Sequence, residues 1–92
     1  MTYSMEEVKE IVKNVLVDTN EVDLKKEDMK DDTTFSEDLL FDSYNYIKLV
    51  VELESKLDII FTMEDLDIDT IRTIQQMTER TYDLYKKENK LK

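Results

Sequence analysis

Several residue types are missing from this chain, and each absence excludes a kind of chemistry. There is no cysteine and no histidine, which excludes disulfides, thiolate nucleophiles, imidazole bases and ordinary zinc sites. There is also no glycine and no proline, which excludes a glycine-rich phosphate-binding loop and the simplest tight hairpin turns. We therefore expect an all-α chain in which polar segments connect the helices.

Basic residues are scarce, and long apolar runs are missing. The 23 acidic and 13 basic residues give a net charge of -10, which disfavours nucleic acid and anionic membrane surfaces as partners. No apolar run approaches the roughly 18 residues of a membrane span, and the N-terminus lacks the apolar core of a signal peptide. We expect one cytoplasmic domain over residues 1–92, with a basic tail at 86–92 that frays.

Three pairs of polar residues have the spacing of helix caps, in which a side chain accepts a hydrogen bond from the first turn. The pairs are Ser4 with Glu7, Thr62 with Asp65, and Thr73 with Gln76. Apolar residues recur at three- and four-residue spacing after the first and third pairs. The sequence predicts helices at Met5 to Val17, Met63 to Leu66 (short), and Thr73 to about Lys87.

A further helix is predicted from Ser43 to Leu57, because Asp42 is a good N-cap. Its apolar residues cover more than one face. The inward face is predicted to consist of Leu49, Val50, Leu53 and Leu57. A second stripe is formed by Tyr44, Ile47 and Val51, which are either further core residues or a surface for docking a partner.

Residues 18–42 form a long connection with ten acidic residues and three lysines. Its scattered apolar residues predict a pinned loop, with a short turn of helix at Ser36 to Leu39. These anchors are Val22, Leu24, Met29, Phe35 and Leu39. The β-branched run Ile59 to Phe61 could be a strand, but no partner strand is visible.

Catalytic and metal-binding readings of the acidic residues fail. Asp65, Asp67 and Asp69 have the opening spacing of a calcium loop, but Thr70 stands where glycine is needed and Gln76 where a bidentate glutamate is needed. A carboxylate-pair hydrolase is disfavoured because so small a domain rarely buries an acid in a cleft. A serine hydrolase is excluded because no histidine is present to take the proton.

Ser43 is the best candidate for a functional residue. At the first helical position its hydroxyl points to solvent beside the positive end of a helix dipole, where a phosphate ester is favoured. The alternative is that Asp42 and Ser43 only begin a helix. If Ser43 reacts, another protein must activate it.

The segment from Phe35 to Tyr44 and its continuation, Ile47, Leu49 to Glu54 and Leu57 to Ile59, resembles acyl carrier and peptidyl carrier proteins. Their signature is Asp-Ser-Leu at the start of the second helix. The resemblance implies a small four-helix bundle with three long helices, one short helix and a long first loop. It also implies that a phosphopantetheinyl transferase, recognising Asp42, attaches 4′-phosphopantetheine to Ser43.

By this resemblance the chain is a free-standing carrier and not an enzyme. It would hold an acyl or aminoacyl group as a thioester on the prosthetic group and act as a monomer. Its partners would be the transferase, an acyl- or aminoacyl-activating ligase, and a downstream synthase, transferase or thioesterase. The expected partner surface consists of Tyr44, Ile47, Lys48 and Val51.

The sequence also departs from the family pattern. Leu40 stands where the family usually has glycine, so a left-handed backbone there would be strained. Tyr44 replaces the usual leucine, and Lys48 and Lys56 balance Glu52 and Glu54 on a helix that is typically acidic in fatty-acid carriers. We expect a specialised pathway of the secondary-metabolite, peptide-type or D-alanine kind. The alternative function is an unmodified helical adaptor that binds a partner helix through Tyr44, Ile47 and Val51.

Overall fold

The computed structural model describes residues 3–19, 25–67 and 69–90, and three α-helices account for most of them. Helix α1 is Met5–Thr19, α2 is Ser43–Leu57 and α3 is Ile74–Lys90. Two single 3₁₀ turns, at Lys26–Asp28 and Glu64–Leu66, lie in the connections. The described residues contain no strand, only one isolated β-bridge between Thr34 and Thr73. The all-helical class is therefore confirmed.

The hydrophobic core lies where α1 packs against both α2 and α3. It is supplied by the apolar stripe of each helix, as three- and four-residue spacing requires. The members from helices that are fully buried are Val8, Val12, Val15, Leu16, Leu49, Val50, Leu53, Ile74 and Met77. The predicted inward face of α2 is confirmed. Tyr46, which we had not assigned to that face, is also buried.

All three predicted capping pairs are formed. Ser4 and Glu7 exchange side chain to backbone hydrogen bonds of 3.1 and 3.2 Å. Thr73 and Gln76 do the same, at 3.1 Å in both directions. Because these bonds satisfy amide groups that a helix start leaves unpaired, they fix where α1 and α3 begin.

The long connection between α1 and α2 is pinned to the start of α3. The carbonyl of Thr33 accepts from the Ile74 N–H at 3.1 Å, and that of Asp31 accepts from the Gln75 N–H at 2.9 Å. The Phe35 N–H donates to the carbonyl of Arg72 at 2.9 Å. The loop backbone thus supplies acceptors that the first turn of α3 lacks within its own helix.

Several predicted boundaries need correction. The predicted short helix after α2 is only the 3₁₀ turn Glu64–Leu66, and residues 35–38 form turns rather than helix. Helix α3 continues to Lys90, beyond the end predicted at about Lys87. In the run from Ile59 to Phe61 the first and last side chains are buried and the middle one exposed, without strand pairing. The anchors Val22 and Leu24 lie outside the described residues.

No helix in the described part of the chain is both long enough and apolar enough to span a membrane. The longest described helix, α3, contains several charged residues, among them Glu79, Arg80, Asp83, Lys86 and Lys87. This agrees with the absence of long apolar runs in the sequence.

Candidate functional site

Three aromatic rings fix the end of the loop that leads to Ser43. The ring of Phe35 is fully buried and lies 5.9 Å from that of Phe41 and 5.8 Å from that of Tyr46, measured between centroids. The Phe41 N–H also donates to the carbonyl of Phe35 at 2.8 Å. Rings at these distances attract each other beyond their burial of surface. The loop is therefore held to the buried face of α2 just before the helix starts.

A second set of contacts stabilises the turn between Thr34 and Leu39. The Thr34 N–H donates to the Asp38 carboxylate at 2.8 Å, and the Asp38 N–H donates to the Thr34 hydroxyl at 3.0 Å. The Leu39 N–H donates to the carbonyl of Thr34 at 3.1 Å. These reciprocal bonds are the pattern by which Thr and Asp side chains stabilise turns. They define the backbone path up to Leu39.

Leu40 adopts a left-handed backbone conformation with φ 57°. The side chains on either side, Leu39 and Phe41, are buried, whereas that of Leu40 is 78% exposed. A residue with a Cβ pays a steric cost in this region that glycine does not. The loop thus uses the left-handed conformation at Leu40 in spite of the strain expected for leucine there.

Asp42 and Ser43 have the predicted geometry of a helix start. Asp42 is extended, with ψ -178°, and its carboxylate accepts from the Asn45 N–H at 2.9 Å. Its carbonyl accepts from the Tyr46 N–H at 3.1 Å. Ser43 is the first residue of α2, and it is exposed. The hydroxyl is therefore presented to solvent at the positive end of the helix.

The predicted partner residues lie on the outward side of α2. Tyr44 is 69% exposed, Ile47 43% and Val51 51%. The ammonium of Lys48 lies over the Tyr44 ring, 5.4 Å from its centroid, in a cation–π contact. Since these four residues share one side of the helix with Ser43 at its start, they form a continuous surface that begins at the candidate site.

The acidic residues of α2 do not contribute equally to this helix surface. Glu54 is half-buried, and its carboxylate accepts from the Phe61 N–H at 2.9 Å. Glu52, Ser55 and Lys56 are exposed. Glu54 therefore holds the segment that follows α2 and is less available to a partner than its sequence position suggests.

A polar network around Asp65 connects α2 to later parts of the chain, and of its contacts sequence reasoning predicted only the pair of Thr62 with Asp65. The Tyr46 hydroxyl donates to the carbonyl of Asp65 at 2.7 Å, and the Arg80 Nε donates to the Asp65 carboxylate at 2.9 Å. The Thr62 N–H and hydroxyl each donate to the same carboxylate at 2.9 Å. The network joins α2, the second 3₁₀ turn and α3.

Two members of this network titrate away from their ordinary ranges. Burial raises the pKa of the Tyr46 hydroxyl well above its usual value, and the charges of Asp65 and Asp67 add to the effect. Burial alone would raise the pKa of the Asp65 carboxyl, but the hydrogen bonds from Arg80 and Thr62 outweigh it and leave that pKa lowered. Asp65 is therefore a structural carboxylate, committed to Arg80.

The contacts of Asp65 and Asp67 show what the acidic series Asp65, Asp67 and Asp69 does in the structure. Asp65 faces Arg80 and Thr62, and Asp67 accepts from the Asp69 N–H at 2.9 Å. Within residues 3–19, 25–67 and 69–90, no three acidic side chains converge in a way that could hold a metal ion. Asp65 thus forms a salt bridge, and Asp67 stabilises a turn.

The surroundings of Ser43 fit a phosphodiester. In the part of the chain that the structure describes, the N–H groups of Ser43 and Tyr44 have no hydrogen-bond partner. Both belong to the first turn, where amide groups and the helix dipole favour an anion. The flanking side chains of Asp42 and Tyr44 are exposed and leave the hydroxyl uncovered. A large group attached there would meet no steric obstacle from its neighbours in sequence.

Comparison with known proteins identifies related sequences. The family model described as "Phosphopantetheine attachment site" matches residues 6–80. An acyl carrier protein of Chlorobium phaeobacteroides is 33% identical over 70 residues, which cover 76% of this chain and 85% of the relative. That of Chlorobium phaeovibrioides has the same identity and coverage. That of Chlorobium luteolum is 31% identical over 70 residues, with the same coverage.

Proposed function

The chain belongs to the phosphopantetheine-attachment family of acyl and peptidyl carrier proteins, and from this premise we propose that Ser43 bears its prosthetic group. It is a carrier protein and not a catalytic enzyme, and 4′-phosphopantetheine is the prosthetic group of its family. When bound, this group supplies a thiol to a protein that has no cysteine. The carried acyl or aminoacyl unit is held there as a thioester.

The observation that carries the proposal is the exposure of Ser43 as the first residue of α2, capped by Asp42. A modifying enzyme needs an accessible hydroxyl, and a phosphodiester is stabilised where unpaired amides meet a helix dipole. The aromatic cluster of Phe35, Phe41 and Tyr46 keeps this helix start fixed. The attachment point on α2 would therefore be rigid, whereas a group tethered to Ser43 could move freely.

The transfer step needs little from the chain itself. The Ser43 Oγ attacks the β-phosphorus of coenzyme A, a new P–O bond forms, and the bond to the departing 3′,5′-adenosine bisphosphate breaks. The hydroxyl proton passes to a base on the transferase, because the chain has no histidine to accept it. Asp42 orients the helix start by holding the Asn45 N–H and offers the transferase a negative charge next to Ser43.

We further propose that the carrier serves a specialised pathway of the secondary-metabolite, peptide-type or D-alanine kind. Helix α2 has Lys48 and Lys56 against Glu52 and Glu54, and Glu54 is occupied by the Phe61 N–H. The outward side of α2 therefore offers apolar contact and a lysine more than a row of carboxylates. A docking surface of this kind would bind enzymes with an apolar complementary surface better than enzymes with basic patches that recognise acidic helices. This favours a dedicated set of partner enzymes.

The remaining expectations from sequence form part of the same proposal. The second 3₁₀ turn, Glu64–Leu66, would be the counterpart of the family's short helix and complete a four-helix bundle. An activating ligase and a downstream synthase, transferase or thioesterase would dock on Tyr44, Ile47, Lys48 and Val51. A single domain over residues 1–92, a monomeric state and a cytoplasmic location stay predictions.

The test is transfer in vitro. The purified apo protein is incubated with coenzyme A and a broad-specificity phosphopantetheinyl transferase, and its intact mass is measured. We expect the wild type to gain one phosphopantetheine, and also Ser36→Ala, a control at an exposed serine in the loop before α2. Ser43→Ala should gain none. Equal gain in Ser43→Ala would refute attachment at this residue. No gain in the wild type, with partner binding that survives Ser43→Ala, would support the unmodified adaptor instead.

A further inference from the structure

Leu40 combines two unfavourable features. Its backbone is left-handed, with φ 57°, and its side chain is 78% exposed. A single exposed apolar residue is common in proteins and does not by itself indicate a binding site. A branched side chain in this backbone region is uncommon, and such strain persists only where the neighbouring structure holds it.

The flanking residues provide that constraint. Leu39 and Phe41 are both buried, the Leu39 N–H is bound to Thr34, and the Phe41 N–H is bound to Phe35. With both neighbours anchored inward, the residue between them must reverse the chain and direct its side chain outward. Glycine would do this without steric cost. With 78% of its surface exposed, the leucine side chain gains little from packing to offset the strain.

Leu40 lies close in sequence to the candidate site. It lies three residues before Ser43 and four before Tyr44, at the end of α2 where the outward stripe begins. An enzyme that acts on the Ser43 hydroxyl must cover this end of the helix. The loop around Leu40 has Glu37, Asp38 and Asp42, all exposed, and no basic residue between them.

We propose that Leu40 is a specificity-determining contact for the transferase that modifies Ser43. Its side chain enters an apolar recess beside the active site of that enzyme, and basic side chains around the recess face Glu37, Asp38 and Asp42. The inference rests on the proposed attachment at Ser43. The strain at Leu40 is then retained because the side chain binds a partner, and its removal should weaken recognition without unfolding the carrier.

The experiment measures kcat and KM for the carrier at saturating coenzyme A, in transfer by the phosphopantetheinyl transferase of the cell that produces the carrier. Leu40→Ala removes the side chain but keeps a Cβ in the strained position. Leu40→Gly removes both side chain and strain, and Leu40→Met keeps an apolar side chain of similar size. Ile60→Ala is the matched control, because Ile60 is 77% exposed but lies beyond the other end of α2, about 22 Å along the helix.

We expect KM to rise about tenfold in Leu40→Ala and Leu40→Gly, with kcat unchanged. Leu40→Met and Ile60→Ala should stay within about twofold of the wild type. Unchanged KM in the alanine and glycine variants would overturn the inference, as would an equal rise in Ile60→Ala or a fall in kcat alone. In each of these cases the wild type is still modified, so attachment at Ser43 stands. Failure of the wild type to accept the group refutes the attachment instead.

Discussion

The hydroxyl of Tyr46 donates a 2.7 Å hydrogen bond to the backbone carbonyl of Asp65, nineteen residues further along the chain. The ring of the same tyrosine lies against Phe35 in the loop before α2. One side chain thus connects the helix that begins with Ser43 to the loop before it and to the 3₁₀ turn after it. The position of the candidate site depends on a residue that does not touch it.

Tyr46→Phe should lower the free energy of unfolding by about 1 kcal/mol, because the buried carbonyl of Asp65 loses its donor while the packed ring is kept. Urea unfolding at neutral pH measures this. Tyr44→Phe is the matched control: Tyr44 is exposed and its contact with Lys48 needs only the ring, so its effect should be below about 0.5 kcal/mol. Equal losses in both variants would show that the Tyr46 hydrogen bond contributes no stability.

The hydrogen bond from Tyr46 to Asp65 should also make stability depend on pH in the alkaline range. Because burial raises the pKa of Tyr46 in the folded state, this stabilisation is complete below the unfolded pKa of about 10 and is lost as pH rises above it. The stability advantage of the wild type over Tyr46→Phe should therefore shrink by roughly 1 kcal/mol between about pH 9 and about pH 11. A constant difference between the two proteins would contradict the burial of an ionisable hydroxyl.

Asp65→Asn should destabilise the fold by about 1 to 3 kcal/mol at neutral pH, because the substitution removes the buried carboxylate and leaves Arg80 without this charge-assisted bond. The pKa of Asp65 is lowered in the folded state, so its contribution is present above the unfolded pKa of about 4 and is lost as pH falls below it. The difference in free energy of unfolding between the wild type and Asp65→Asn should therefore become smaller at acidic pH. Urea midpoints over a pH series measure it.

Asp83→Asn supplies the control for that measurement. Asp83 contacts the same arginine at 3.2 Å, but its side chain is largely exposed, and exposed pairs contribute little. We expect a change of less than about 0.5 kcal/mol at any pH in the series. If Asp83→Asn were as costly as Asp65→Asn, burial would not be what distinguishes the two carboxylates.

The two faces of α2 should differ in their response to truncation. Leu53 is fully buried, so Leu53→Ala should cost about 2 to 5 kcal/mol in free energy of unfolding. Ile47→Ala and Val51→Ala, on the outward stripe, should cost less than about 1 kcal/mol. The reverse ranking of urea midpoints would place the partner surface in the core.

Leu40→Gly should raise the free energy of unfolding by roughly 0.5 to 1 kcal/mol, because it relieves a left-handed backbone and loses no buried contact. Ile60→Gly is the control at an equally exposed residue whose φ is not positive, and it should lower stability by roughly 0.5 to 1 kcal/mol. Destabilisation by Leu40→Gly would mean that its side chain is needed within the carrier itself.

Much of the fold could be predicted because its signals are local. The cap residues Ser4, Asp42 and Thr73 bond to amides three residues away, so sequence spacing alone locates the helix starts. The inward face of α2 follows from helical periodicity. Tyr46 could have been assigned to that face, since it is three, four and seven residues before Leu49, Val50 and Leu53.

The rest depends on contacts between residues distant in sequence. The salt bridge from Arg80 to Asp65 and the bonds from the first turn of α3 to the loop at residues 31–35 have no periodic signature. The leucine at position 40, where the family usually has glycine, predicts strain if the backbone there is left-handed. Only the burial of Leu39 and Phe41 on either side shows why the chain adopts that backbone. Sequence spacing thus predicted the helix start at Ser43, whereas it did not predict the contacts that Asp65 makes with Tyr46 and Arg80.

The most direct test of the central claim is to locate the added group within the modified protein. Tryptic cleavage should release residues 31–48, which contain two serines, Ser36 and Ser43. Tandem mass spectrometry of this peptide can assign the phosphopantetheine to one of them. We predict that the fragment ions place the added mass on Ser43 in all of the modified protein. Assignment to Ser36, or a peptide that stays unmodified after treatment with an active transferase, would contradict it.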